Sequence, residues 1–282
     1  MPIYGYHFAR AKGTAIRTVY RLFLSMIARS DLPKRTDIPV NVVSYCGEQT
    51  LPEQVASIRS FLRHVGHPKQ FTVVSDGTLS QRSKEILKSL SSIISISESQ
   101  EWLPKNLPAE IYPYLSTHPT GKQLAVIMSL PLDRPTLYID SDVLFFPGAG
   151  DLVLRMENPT GPALYLPDCQ LSADERLFHN ELEKALPVNT GVLLFFEKLD
   201  WAPAICRFLK IQGPPDFFTN QTITHLTMHV SGALPFDHRK YVLQLDDQFI
   251  YPDRYASPSL ALRHYVNPVR HKFWTTLAQS IR

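Results

Sequence analysis

Two carboxylates one residue apart, Asp140 and Asp142, interrupt an otherwise apolar run, Thr-Leu-Tyr-Ile-Asp-Ser-Asp-Val-Leu-Phe-Phe, at residues 136–146. Side chains alternate along a β-strand, so both acids point the same way just where the strand leaves the core. Paired acids at such a place need a cation. Hard oxygen ligands suit Mn²⁺ or Mg²⁺, and these ions are commonly completed by substrate phosphates. The simplest ligand to expect is therefore a diphosphate. Neither a Gly-x-Gly-x-x-Gly nor a Walker-type loop is present, so phosphate binding would rest on metal and basic side chains. Lys122, near the start of a predicted helix, is one such cation, placed where backbone N–H groups also favour anions.

Other residues invite weaker readings. His225 and His229 are spaced i, i+4 on a predicted helix, but without a third ligand they are expected to pack rather than bind metal. Asp246 and Asp247 follow a predicted strand, and since consecutive residues face opposite ways, at most one can enter a cleft as an acceptor-binding group or general base. Asp76-Gly77, at the end of another strand, also fits an ordinary turn.

The elements that must position these residues alternate. Strands are predicted at 40–45, 71–75, 93–96 and up to Asp140, with helices at 52–65, 80–90 and 121–130 between them. This is the pattern of a mainly parallel sheet covered by helices, whose ligands sit at the carboxyl ends of the strands. Tyr45, Asp76 and the Asp140/Asp142 pair then share one rim. The second half is less regular, with strands near 163–166, 188–196 and 241–245 and helices at 201–210 and 220–230. Ahead of all this, residues 14–28 have helical periodicity with several arginines, and 31–37 read as a linker.

The composition sets limits. A length of 282 residues with 44 % hydrophobic content suits one large α/β domain. A net charge of +3 with no basic-aromatic stripe argues against nucleic acid. Three scattered cysteines suggest neither a disulfide framework nor zinc. No apolar run approaches the roughly 20 residues that span a bilayer, and no signal-peptide pattern appears, so the expectation is a cytoplasmic protein. The charge is uneven, however. Arg10, Lys12, Arg17, Arg21, Arg29, Lys34 and Arg35 face only Asp31 before Thr36, so the first helix is a basic amphipathic one, of the kind that can make peripheral membrane contact.

Taken with the Asn-Thr-Gly-Val-Leu-Leu-Phe-Phe strand at 189–196 and the late His-Tyr-Val-Asn-Pro-Val-Arg-His-Lys-Phe-Trp at 264–274, the Asp-x-Asp half resembles nucleotide-sugar glycosyltransferases of the GT-A fold, and among them glycosyltransferase family eight. The likeness runs from about residue 39 to 274. It implies a single GT-A domain at 38–282, with a nucleotide-binding half at 38–146 and an acceptor-side half at 147–282, preceded by the helix and linker of 1–37. It implies that Asp140 approaches the ribose or metal, that Asp142 ligates the metal and that His264 completes the protein ligands. Ser44 and Tyr45 stand where similar enzymes hold the base, and Asp76 where a carboxylate accepts from base or ribose.

The family pattern His-x-x-Gly-x-x-Lys-Pro-Trp is altered here. Asn267 replaces the glycine, Arg270 replaces the lysine, and Lys272 follows as a second cation, so either Arg270 or Lys272 is expected to clamp the diphosphate. Asn189 matches an asparagine that contacts the donor sugar. Asn220-Gln221 matches an Asp-Gln pair, which removes a carboxylate and leaves Gln221 to orient sugar or leaving group. The resemblance implies transfer from a nucleotide-diphosphate sugar to a carbohydrate, lipid-linked or other acceptor, with retention; inversion with Asp246 or Asp247 as base stays open. Two alternatives compete. In a haloacid-dehalogenase-like phosphohydrolase Asp140 would be the nucleophile and Asp246-Asp247 later metal ligands. An inactive carbohydrate-binding scaffold of the same fold is the other.

Overall fold

In a computed structural model of the chain, residues 4–33, 35–250 and 252–280 are described; Lys34, part of the predicted linker, lies outside the described residues. The strands are β1 (Asp37–Cys46), β2 (His67–Ser75), β3 (Ile94–Glu98), β4 (Thr136–Asp140), β5 (Val143–Phe145), β6 (Ala163–Pro167), β7 (Val188–Phe195), β8 (Leu234–Pro235), β9 (Tyr241–Val242) and β10 (Leu262–His264). The α-helices are α1 (Tyr4–Leu22), α2 (Leu24–Arg29), α3 (Leu51–His64), α4 (Gln81–Lys88), α5 (Tyr112–Thr117), α6 (Pro119–Met128), α7 (Gly150–Glu157), α8 (Ala202–Phe208), α9 (Thr219–Val230) and α10 (Arg270–Ser280).

Seven strands form one sheet in the order β3-β2-β1-β4-β7-β6-β8, and β5-β10-β9 form a second, small one. The first four strands of the large sheet are mutually parallel and β7 alone runs against its neighbours, as predicted for a mainly parallel α/β sheet. Because β1 and β4 are covered on both faces, they read as continuous apolar runs. Val42, Leu137, Ile139 and Leu194 face one core, while Val43, Tyr138, Leu193 and Tyr165 face the other. The first core lies against α2, α3, α10 and the small sheet. The second lies under α5, α6, α8 and α9.

The N-terminal helix begins earlier than its periodicity suggested, at Tyr4, and breaks at Phe23 before α2. Tyr20, Leu24 and Ala28 join the first core, and Arg17 donates from Nε to the buried Glu53 of α3 at 2.5 Å. Short β8 and β10 carry too few residues for a strand pattern to show. Among the described residues no helix is long and apolar enough to cross a membrane.

Candidate metal and nucleotide site

The parallel register sets Tyr45 of β1 beside Asp140 of β4, and the chain then turns directly into β5. Antiparallel pairing of β5 with β10 places His264 opposite Val143, and the Tyr265 N–H donates to the Asp142 carbonyl at 2.9 Å. Two sheets thus bring together groups more than 120 residues apart. Ligand atoms of Asp140, Asp142 and His264 all lie within 4.8 Å of one another.

The imidazole is held from behind. His264 Nδ1 is 2.9 Å from Asn189 Oδ1, and that oxygen also accepts the Gly191 N–H at 2.8 Å. An oxygen so placed fixes the proton on Nδ1 and aims Nε2 at the acids, 3.1 Å from Asp142 Oδ1 and 3.7 Å from Asp140 Oδ2. Gly191 is needed for this approach, since a Cβ there would lie 2.2 Å from the imidazole Cε1. Asp140 is oriented in turn by Gln123 Nε2 at 2.8 Å and the Tyr138 hydroxyl at 3.0 Å, and Asn220 donates to Gln123 Oε1 at 2.8 Å.

The electrostatics separate the two acids. Burial, reinforced by the Asp142 charge, pushes the Asp140 carboxyl up to about 6 even though His264 opposes it. Asp142 is buried too, yet His264 and Arg270 outweigh that and hold it well below the ordinary carboxylate range. The His264 imidazole loses by burial but is raised on balance by Asp142. Arg270 donates from Nη2 to Asp142 Oδ2, and its side chain remains 41 % exposed. Two carboxylates and an imidazole nitrogen of fixed tautomer, each backed by its own hydrogen bonds, fit a hard divalent cation.

No protein-family profile and no curated protein sequence matches the chain. Solved structures do. The galactosyltransferase LgtC in complex with donor and acceptor sugar analogues is 14 % identical with a TM-score of 0.54, over 85 % of this chain and 95 % of that one. Mouse xyloside xylosyltransferase 1 is 11 % identical with a TM-score of 0.53, over 83 % and 99 %. The bifunctional glycosyltransferase WbbM is 13 % identical with a TM-score of 0.55, over 90 % of this chain and 51 % of that one. This chain has the GT-A fold.

On that GT-A frame several expected residues converge and others do not. Asp140, Asp142, His264 and Arg270 meet, with Asn189 immediately behind them. Lys122 Nζ donates to the Asp76 carbonyl at 3.1 Å, so these two meet at the β1-β2 end of the rim. The Asp76 carboxylate accepts from the Thr78 N–H and hydroxyl at 2.8 and 2.6 Å, an Asx turn. Tyr45 is half-buried on the Asp140 face, and burial raises its phenol. Asn267 is exposed between His264 and Arg270. Gln221 donates to Asp168 at 3.2 Å and to the Ser172 carbonyl at 2.8 Å, and Asn189 Nδ2 donates to Asp168 at 3.2 Å. Asn189 is therefore fully engaged in holding its neighbours.

Three expectations are corrected. Ser44 alternates with Tyr45, so its hydroxyl is buried on the opposite face of β1 and away from the rim. Lys272 is 2 % exposed and spends its ammonium on the Ile250 and Pro252 carbonyls and on Asp247, so of the two cations only Arg270 reaches Asp142. Asp247 is fully buried in a bidentate pair with Arg263, at 3.0 and 2.8 Å, and has no access to an acceptor. Asp246 is tied to Arg254 and the Tyr255 hydroxyl. With both acids so engaged, the later metal ligands of the phosphohydrolase alternative are missing.

His225 packs as expected. It accepts the Val188 N–H at Nδ1 and donates from Nε2 to the Glu183 carbonyl at 2.6 Å. Sequence reasoning missed Gln123, Tyr138 and Asp168. Asp168 follows β6 directly, and the strand-end argument that singled out Asp76 applies to it equally. Gln123 adjoins Lys122 but carries no charge to attract notice.

Proposed function

We propose that the chain transfers a sugar from a nucleoside-diphosphate donor to a hydroxyl of a carbohydrate, lipid-linked or other acceptor. The observation that carries this reading is the convergence of Asp140, Asp142 and His264, with Arg270 alongside, at the carboxyl edge of a GT-A sheet. LgtC, which shares the fold, was solved with donor and acceptor sugar analogues.

In this reading Asp140 and Asp142 hold a divalent cation, Mn²⁺ or Mg²⁺, through carboxylate oxygens and His264 holds it through Nε2. When bound, that cation supplies charge neutralisation for the departing diphosphate. Arg270 adds donors to the same anion, and its exposure lets it turn from Asp142 towards phosphate. Tyr45 and the Asp76–Lys122 corner border the nucleoside. The bond from the anomeric carbon to the diphosphate breaks with its electron pair on oxygen, the acceptor oxygen bonds to that carbon, and the departing diphosphate oxygen takes up the acceptor's proton. Gln221, an amide engaged with Asp168, orients and does not attack. With no protein nucleophile, retention in this reading comes from attack on the donor's own face and not through a covalent intermediate.

The test is a panel of nucleotide sugars scored for release of nucleoside diphosphate with and without Mn²⁺. Metal-dependent release from at least one donor is expected. Release of inorganic phosphate from simple phosphomonoesters, with no nucleotide-sugar cleavage, would replace the transferase reading with hydrolysis.

A further inference from the structure

The N-terminal helices carry apolar side chains on two faces, and the fold buries only one. Inward, Ala9, Tyr20, Leu24 and Ala28 are buried, and Gly13 rests so closely on α10 that a Cβ would lie 2.5 Å from the His271 carbonyl oxygen. Outward, Phe8, Val19 and Leu22 are 66, 54 and 76 % exposed, followed by Phe23 and Met26 at 51 and 64 %. On a helix turning about 100° per residue, Phe8, Val19 and Leu22 fall within one narrow arc, and the exposed Ala11 and Ala15 fill the gaps between them. A contiguous exposed apolar stripe of this kind marks an interaction surface.

Its flanks decide the partner. Lys12 borders the stripe, and Arg10, Arg21 and Arg29 are exposed elsewhere on the same two helices, while Arg17 is turned inward to Glu53 and Asp31 is the single acid before Thr36. Pairing with a second copy through the same face would set basic flank against basic flank, since a two-fold interface is self-complementary. An anionic lipid surface complements both the charge and the apolar stripe.

We propose that the outward face of α1 and α2 seats the protein on an anionic bilayer. The surface is independent of the chemistry at Asp142, because the side of α1 that carries Gly13 packs on the first turn of α10, whose leading residue is Arg270, and the apolar stripe lies on the other side of the helix.

The experiment is co-sedimentation of the full chain with phosphatidylcholine vesicles containing about one third phosphatidylglycerol, against phosphatidylcholine alone. The wild type should sediment with the anionic vesicles, at least about tenfold more than with neutral ones, and should be released by salt. Combining Val19→Glu, Leu22→Glu and Met26→Glu should cut that partitioning by about tenfold or more with an unchanged thermal midpoint. Arg21→Gln and Arg29→Gln should each cut it by about fivefold. Wild-type protein left in the supernatant, or a folded triple variant that binds as well as the wild type, overturns the proposal. So does a wild-type dimer that the triple variant makes monomeric, since a second copy would then cover the face.

Discussion

Arg263 and His264 are consecutive on β10, and each belongs to a cluster of acids and bases, but the two clusters are built to opposite ends. On the Arg263 side every charge is sealed. The guanidinium is fully buried between the rings of Tyr255 and Tyr265, at 4.9 and 5.0 Å, and pairs with Asp247 and Asp253. Asp247 also meets Lys272 at 3.3 Å, and Asp253 accepts from the Tyr265 and Thr276 hydroxyls. On the His264 side the compensation is partial. Asp140 keeps a side chain 23 % exposed, Arg270 is 41 % exposed, and burial with the neighbouring Asp142 charge pushes the Asp140 carboxyl up against the pull of His264. A buried network whose charges are paired within it holds structure in place. One that leaves acids partly unmatched is poised for a cation from outside. Residue type alone does not distinguish them: Asp247 and Lys272 looked as suitable for chemistry as Asp142 and Arg270 do.

The contrast can be broken by mutation at either side. The largest loss of stability is expected at the sealed cluster. Asp247→Ala leaves Arg263 and Lys272 buried with an acid missing and should cost about 3–5 kcal/mol of unfolding free energy, read from denaturant midpoints. A cost within about 0.5 kcal/mol, the level of an ordinary surface change, would show that the cluster is not the structural one.

At the open cluster the folded state should survive and binding should change. Asn189→Ala frees the His264 imidazole to turn, and Mn²⁺ affinity should fall by about 10–100-fold, the usual effect of losing a residue that orients a ligand. Unchanged affinity would mean that the hydrogen bond to Nδ1 does not set the site.

The smallest effect separates the two cations. Arg270→Ala should weaken a nucleoside diphosphate by about tenfold while leaving the free nucleoside unaffected, the magnitude of one charge-assisted hydrogen bond. Lys272→Met should lower stability and leave nucleotide affinity where it was in whatever fraction folds. The reverse pattern in calorimetric titrations would exchange their roles.

Much of the fold was legible because its signals are local. The alternation of β-branched strands with amphipathic helices between residues 38 and 140 gave the parallel sheet, and the Asp-x-Asp at the end of β4 gave the acids. His264 was found through the order of motifs, since β10 is only three residues long and offers no periodicity. What the sequence hid was the allocation of partners. Whether Lys272 or Arg270 faces the acids depends on where α10 docks, two residues being enough to turn a helical side chain from cleft to core. Ser44 was misplaced by one position, which on a strand means the opposite face. Gln123 and Tyr138 are neutral groups whose part in holding Asp140 exists only once α6 lies over β4.

The central claim is that Asp140, Asp142 and His264 form a divalent-metal site serving a nucleotide donor. Electron paramagnetic resonance of free Mn²⁺, titrated with protein in the presence of a nucleoside diphosphate, tests it most directly. The account predicts one Mn²⁺ bound per wild-type chain, and binding weakened by on the order of a hundredfold or more in Asp142→Asn, because a neutral amide is a poor ligand for a hard cation, with the thermal midpoint of the variant showing an intact fold. Equal Mn²⁺ binding by the wild type and a folded Asp142→Asn protein, or none by either, would contradict it.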